Sequence, residues 1–154
     1  MISSIRKKKL KKSNLDKLRE ECGIFGISNH VDASALVALR LHALQHRGQE
    51  GCGIVSYDET SFHSEKRQGL VGDHFTNQET LKKLPGKFAI GHNRYSTTGE
   101  TSLRNIQPFF ADLYMGGLSV AHNGNLTNAL ALRNALVKDL SLINISEPTR
   151  LCMI

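Results

Sequence analysis

The sequence predicts an α+β domain built on antiparallel sheet. Three observations lead there. Strand-like stretches come early and lie close enough to pair through short turns, two main helical stretches interrupt them, and the regular strand–helix–strand alternation of a parallel sheet is missing. At 154 residues the chain is long enough for one such domain with a real core.

Residues 22–28 read as a buried strand, apolar with glycines where other backbone must come close. Asp32 is placed to cap the next segment. There Ala33, Val37, Leu41 and Leu44 recur at helical spacing, and Gly48 supplies a stop. Residues 53–57 form a short strand, Asp58-Glu59 a turn and residues 61–66 a second strand, so a hairpin is expected. Asn77 caps a short helix that reaches Leu84. Pro85-Gly86 turns the chain into a strand at 87–91. Two further strands are expected at 109–113 and 117–121, separated by Met115-Gly116. A last helix covers about 126–137, with Asn125 or Thr127 near its cap. There is no internal repeat and no long linker.

The formal charge of +6 suggests nucleic acid or a membrane surface as partner, but its distribution withdraws the suggestion. Residues 1–21 hold six Lys, two Arg and three acids, so the excess sits in a leader and the body is close to neutral. No nucleic acid and no membrane partner are expected. The leader lacks the apolar region of a secretory signal and is rich in Lys where transit peptides favour Arg. No stretch approaches the roughly 18 consecutive apolar residues of a membrane-spanning helix. Cys22, Cys52 and Cys152 show no C-x-x-C spacing, and an odd count fits free thiols in a reducing compartment. A cytoplasmic location is the expectation.

Cys22 is the most informative residue. It follows the leader directly, and a cysteine freed at a chain start carries a thiol nucleophile and an amine base on one residue. Three polar segments sit at strand or helix ends: Gln45-His46-Arg47-Gly48-Gln49-Glu50, Gly91-His92-Asn93-Arg94-Tyr95-Ser96-Thr97-Thr98-Gly99-Glu100 and Ala121-His122-Asn123-Gly124-Asn125. Each is open to a bland reading, because helix ends are often basic and Asn-Gly is a common tight turn. Together with Cys22 they supply what hydrolysis of a glutamine side-chain amide requires. Cys22 offers the nucleophile, and its own amine, with a reference pKa of about 7.7–8.0, offers the base. The Asn123 amide and the Gly124 N–H offer donors for a developing oxyanion. Arg94 offers a planar fork for a carboxylate.

The four segments Cys-Gly-Ile-Phe-Gly-Ile, Leu-Gln-His-Arg-Gly-Gln-Glu, Gly-His-Asn-Arg-Tyr-Ser-Thr-Thr-Gly and Ala-His-Asn-Gly-Asn-Leu-Thr-Asn resemble the type-2 glutamine amidotransferase domain, and among its bearers the amidophosphoribosyltransferases. The similarity runs from about Asp16 to Lys138. It implies an N-terminal-nucleophile (Ntn) hydrolase sandwich, two antiparallel sheets stacked between helical layers. It further implies that Cys22 is the nucleophile, that Arg94 binds the substrate carboxylate with Thr97 lining the same pocket, that Asn123 and Gly124 form the oxyanion hole, and that Arg47 and Gly48 belong to the loop beside the nucleophile. His46, His92 and His122 are expected to be structural hydrogen-bonders without an acid–base role.

The resemblance divides the chain into a leader at 1–21, read as a propeptide removed at Cys22, a partial amidotransferase domain at 22–138, and a tail at 139–154 that does not match. The family continuation holds an aspartate for the glutamine α-amino group, and residues 140–154 contain none. The implied function is the glutaminase half of an enzyme that passes ammonia to phosphoribosyl pyrophosphate in purine synthesis. The expected partners are glutamine and a C-terminal phosphoribosyltransferase domain, in a homo-oligomer. No cofactor or metal is expected in this segment, whereas the whole family enzyme uses Mg2+ with phosphoribosyl pyrophosphate and some members carry a 4Fe-4S cluster. The alternatives are an inactive fragment, or the glutaminase domain of a relative such as glucosamine-6-phosphate synthase. That relative prefers Tyr-Asp-Ser after His-Arg-Gly, where this chain has Gln49-Glu50-Gly51.

Overall fold

The computed structural model describes residues 22–95, 102–124 and 127–139. The leader, Thr97, the cap residue Asn125 and the tail from residue 140 onward lie outside the described residues.

A four-stranded sheet carries the fold. Strands β1 (Gly23–Ile27), β2 (Gly51–Tyr57), β3 (Phe62–Gln68) and β4 (Phe88–Arg94) lie in the order β1-β4-β2-β3, every neighbouring pair antiparallel. Helix α1 (Ala33–Ala43) packs on one face. Its Val37 and Leu41, both wholly buried, press on the β4 backbone at Gly91 and join Cys52, Ile54 and Ala89 in the core. The expected helical spacing therefore marks the buried stripe correctly. The short helices α2 (Val71–His74) and α3 (Gln78–Lys82) close this core with Val71, Phe75 and Leu84.

The other face meets a second, two-stranded antiparallel sheet, β5 (Phe109–Leu113) and β6 (Gly116–Val120), and the segment that leads into it. Ile106 packs on Gly51, and the Phe62 and Phe110 rings stack with centroids 5.0 Å apart. Because side chains alternate across a strand, Ala89, Gly91 and Asn93 face α1 while Ile90, His92 and Arg94 face the second sheet. Helix α4 (Ala129–Asp139) completes the described chain. The architecture is α+β with antiparallel sheets, as expected. A cleft of about 360 Å³ lies near Tyr57, Phe88 and Ser119. It sits at the far end of the strands from Cys22, in space left between the sheets.

The turn between β2 and β3 shows why the hairpin forms. One Asp58 carboxylate oxygen accepts from the Thr60 N–H and hydroxyl and from the Ser61 N–H, and the other faces His63 Nε2 at 2.8 Å. The Thr60, His63 and Ser61 hydrogen bonds hold the Asp58 carboxyl well below the usual carboxylate range. Glu59 takes the left-handed conformation at φ 76° that this tight turn needs. Asn77 caps α3 as expected, accepting from the Glu79 N–H at 2.9 Å.

Several local expectations need correction. Asp32 occupies the N-cap position of α1, but its side chain caps nothing; the Ala33 N–H goes to the His30 carbonyl instead. Helix α1 ends at Ala43, a 3-10 turn follows at Gln45–Arg47, and Gly48 is extended at φ −166°, so it is no left-handed stop. Strand β4 runs to Arg94 because partners on both sides continue its ladder; Asn93 pairs with Gly23 and with Cys52. Polar side chains made that stretch look like a loop. Helix α2 is a single turn, too short for periodicity to register.

Candidate active site

Cys22 sits immediately before β1, half-buried, beside the end of β4. The antiparallel pairing of Gly23 with Asn93 brings it there, which puts Tyr95 alongside the sulfur. The Tyr95 N–H donates to Cys22 Sγ at 3.3 Å, and the Tyr95 carbonyl lies 3.5 Å from the same sulfur. The Cys22 carbonyl accepts two side-chain donors, Asn123 Nδ2 at 2.9 Å and Arg47 Nε at 3.3 Å. Segments 25 and 101 residues away thus converge on one backbone unit.

Arg47 reaches Cys22 from the 3-10 turn after α1. That turn is pinned by Gln45, whose amide donates to the Gly48 carbonyl while its oxygen accepts the Val71 N–H at 2.7 Å. Gly48 runs directly against β4. A Cβ there would stand 2.7 Å from the Arg94 carbonyl carbon and 2.9 Å from that of Asn93. Glycine is required at 48 for close backbone approach and not for its dihedral freedom.

Arg94 ends β4 on the face turned toward the second sheet. Its Nη1 donates to the Asn105 carbonyl at 2.9 Å, while its Nε is buried without a hydrogen-bond partner. Asn123 and Gly124 follow β6. Gly124 has φ 149°, a conformation that residues with a Cβ rarely adopt, and among the described residues nothing packs within 4 Å of where a Cβ would be. Six of the seven expected site residues are placed: Cys22, Arg47, Gly48, Arg94, Asn123 and Gly124 gather around one end of the sheets. Thr97 lies outside the described residues.

The three histidines differ. The His46 ring lies 3.2 Å from the Ala43 carbonyl, and His122 is held through its main-chain N–H, 2.7 Å from Gln107 Oε1. His92 is wholly buried, and its ring lies against the main chain of His122, in keeping with a structural role. Burial, then the positive charge of Arg94 and His122 beside it, push its pKa down to about 4. Cys52 is fully buried in the α1 core, and burial pushes its thiol up to about 12. It is a small hydrophobe.

Asn105 and Gln107 lie outside the polar segments that sequence patterns single out, and Gln45 and the main chain of Tyr95 lie inside them without a role assigned. They act through backbone groups or from distant segments, and spacing carries no signal for such contacts. Among the described residues no three His, Cys, Asp or Glu side chains converge as metal ligands. The described part of the chain therefore holds no set that fits the Mg2+ or iron–sulfur cluster implied for the family.

The family model for class-II glutamine amidotransferases matches residues 21–139, which include every one of these site residues. The chain belongs to the class-II glutamine amidotransferases. An amidophosphoribosyltransferase of Rhizobium etli is 62% identical over 122 residues, covering 79% of this chain and 25% of its own length. A chloroplastic amidophosphoribosyltransferase of Vigna aconitifolia is 49% identical over 138 residues, covering 90% of this chain and 28% of its own. The structure of an allosteric regulatory enzyme of purine biosynthesis is similar with a TM-score of 0.72 at 43% identity, over 83% of this chain and 28% of that one. So is the glutamine phosphoribosylpyrophosphate amidotransferase of B. subtilis in complex with ADP and GMP, with a TM-score of 0.69 at 41% identity, over 83% of this chain and 27% of that one. This class-II amidotransferase chain spans about a quarter of the length of the relatives it matches. Among its described residues no helix is long and apolar enough to cross a membrane.

Proposed function

We propose that this chain is the glutaminase part of an amidophosphoribosyltransferase, with Cys22 as nucleophile. The observation that carries the reading is the convergence of Tyr95, Arg47 and Asn123 on Cys22, at the end of the strand that also bears Arg94. Once the bond to Glu21 is broken, the Cys22 amine takes the thiol proton. The sulfur then attacks the glutamine side-chain carbonyl carbon.

The Asn123 amide has two N–H donors. One is held by the Cys22 carbonyl, which leaves the other for the oxygen of the tetrahedral intermediate. The Gly124 N–H is the second oxyanion donor. Collapse of that intermediate moves the proton from the amine to the departing nitrogen, so ammonia leaves and a thioester remains on Cys22. Water cleaves the thioester, releasing glutamate and restoring the thiol. Arg94 holds the substrate α-carboxylate with the planar fork of its guanidinium.

In the whole protein the ammonia passes to phosphoribosyl pyrophosphate, which the name of the B. subtilis relative carries, at the C-terminal domain that the family resemblance implies. The test is labelling of the chain with a chloroketone analogue of glutamine. A single adduct on Cys22, prevented by excess glutamine, is expected. Adducts elsewhere, or labelling indifferent to glutamine, would overturn the reading.

A further inference from the structure

The oxyanion segment presents a mechanical problem. Among the described residues nothing lies within 4 Å of where a Gly124 Cβ would be, and its φ of 149° is one that residues with a Cβ rarely adopt. Two hydrogen bonds of the residues just before Gly124 then bear on where its N–H points. One is the Asn123 bond to the Cys22 carbonyl. The other lies one residue further back, where the His122 N–H donates to Gln107 Oε1 at 2.7 Å.

Gln107 is itself held hard. It is 7% exposed, and its carbonyl lies so close to Gly53 of β2 that no Cβ would fit there. Its neighbour Ile106 is wholly buried and packs on Gly51 of the same strand. Two residues before Gln107, the Asn105 carbonyl takes the Arg94 guanidinium at 2.9 Å. One rigid tripeptide seated on the central strand thus grips the arginine with one residue and the oxyanion segment with another.

We propose that Gln107 is a positioning residue for glutamine hydrolysis: its side-chain oxygen fixes the His122 peptide, and through it Asn123 and Gly124, at a set distance from Arg94 and Cys22. The catalytic part of this inference rests on the glutaminase reading; the mechanical part does not. Gln107 touches no reacting atom. It acts by keeping the oxyanion donors aimed where charge develops, and a misplacement of about 1 Å there is worth about 100-fold in rate.

Two variants test it on the whole chain. Gln107→Met keeps length and burial but removes the acceptor, whereas Gln107→Glu keeps an oxygen at the same reach. Gln107→Met is expected to raise hydrogen exchange of the His122 amide at least about tenfold, by loss of its acceptor. It should also lower kcat for glutamine hydrolysis about 10- to 100-fold, with KM changed by less than about threefold because Arg94 keeps its own anchor at Asn105. Gln107→Glu should recover most of both. Unchanged His122 exchange in Gln107→Met would overturn the proposal. So would equal loss of activity and melting temperature in the two variants, which is the mark of packing alone. If the parent chain hydrolyses no glutamine, the glutaminase reading falls, and the exchange of His122 still decides the tie to Gln107.

Discussion

The sulfur of Cys22 is held by the main chain of Tyr95, 3.3 Å from its N–H. Tyr95 directly follows Arg94, so a single residue step separates the group that grips the sulfur from the group proposed to hold a substrate carboxylate. The two ends of a glutamine would be measured against one strand end. This makes the pair of Cys22 and Arg94 the core of what can be tested.

Cys22→Ala is expected to abolish glutamine hydrolysis, and Cys22→Ser to come close to doing so. Cys52→Ala should keep the activity and lose about 1 kcal/mol of stability, the usual scale for a modest core change. The contrast follows from placement: Cys22 is half-exposed at the site, while the Cys52 thiol is buried and pushed up to about 12. Peptide mapping after brief iodoacetamide treatment of folded protein should find Cys22 modified and Cys52 intact. The reverse pattern would mean that the nucleophile has been misassigned.

Cleavage between Glu21 and Cys22 is the second expectation, because an amide nitrogen cannot serve as base and a free amine of pKa about 7.7–8.0 can. Intact mass of the purified protein reads it directly. A stable species that still starts at Met1 and hydrolyses glutamine at the full rate would refute the amine as base.

Arg94→Ala should weaken glutamine binding about 10- to 150-fold, the equivalent of losing a charge-assisted contact of about 1.5–3 kcal/mol. Arg94→Lys should recover little of this, since an ammonium cannot reproduce a fork that serves the Asn105 carbonyl and a carboxylate together. Calorimetric titration with glutamine checks both variants, and wild-type affinity in Arg94→Ala would remove Arg94 from the substrate site.

Gly48→Ala places a methyl group 2.7–2.9 Å from main-chain atoms of Asn93 and Arg94. Neither strand nor turn can yield without breaking hydrogen bonds, so a loss of about 1–3 kcal/mol is expected. Activity should fall further than stability, because the displaced turn carries Arg47 away from the Cys22 carbonyl. Denaturant unfolding together with a glutaminase assay separates the two effects.

His92 makes stability depend on pH. Its folded pKa is depressed to about 4 by burial and by Arg94 and His122, against about 6.5 in the unfolded chain. Below pH 6.5 the unfolded state binds a proton that the folded state refuses. The contribution is therefore fully present above about 6.5 and is lost as pH falls toward 4, by about 3 kcal/mol in all. His92→Leu removes both the titration and two buried ring nitrogens. Its unfolding midpoint should vary less than the parent's between pH 6.5 and 4, and parallel curves would show that His92 is not the group responsible.

By itself the sequence determined the α+β class, the buried stripe of α1 at Val37 and Leu41, the hairpin turn at Asp58 and the candidate residues of the site. Those features are written in short-range periodicity, in turn chemistry and in compact motifs such as His122-Asn123-Gly124. Only the tertiary structure decided that β4 continues through the polar residues His92, Asn93 and Arg94, because a ladder is set by neighbours on both sides and not by a strand's own polarity. It alone showed Gly48 as a point of close backbone approach, His92 as a buried ring with its pKa pushed down, and Gln107 as the acceptor of the His122 N–H. The physical reason is common to all of these. Each depends on atoms brought together from segments far apart in the chain, by backbone hydrogen bonds and excluded volume that no local pattern of side chains records.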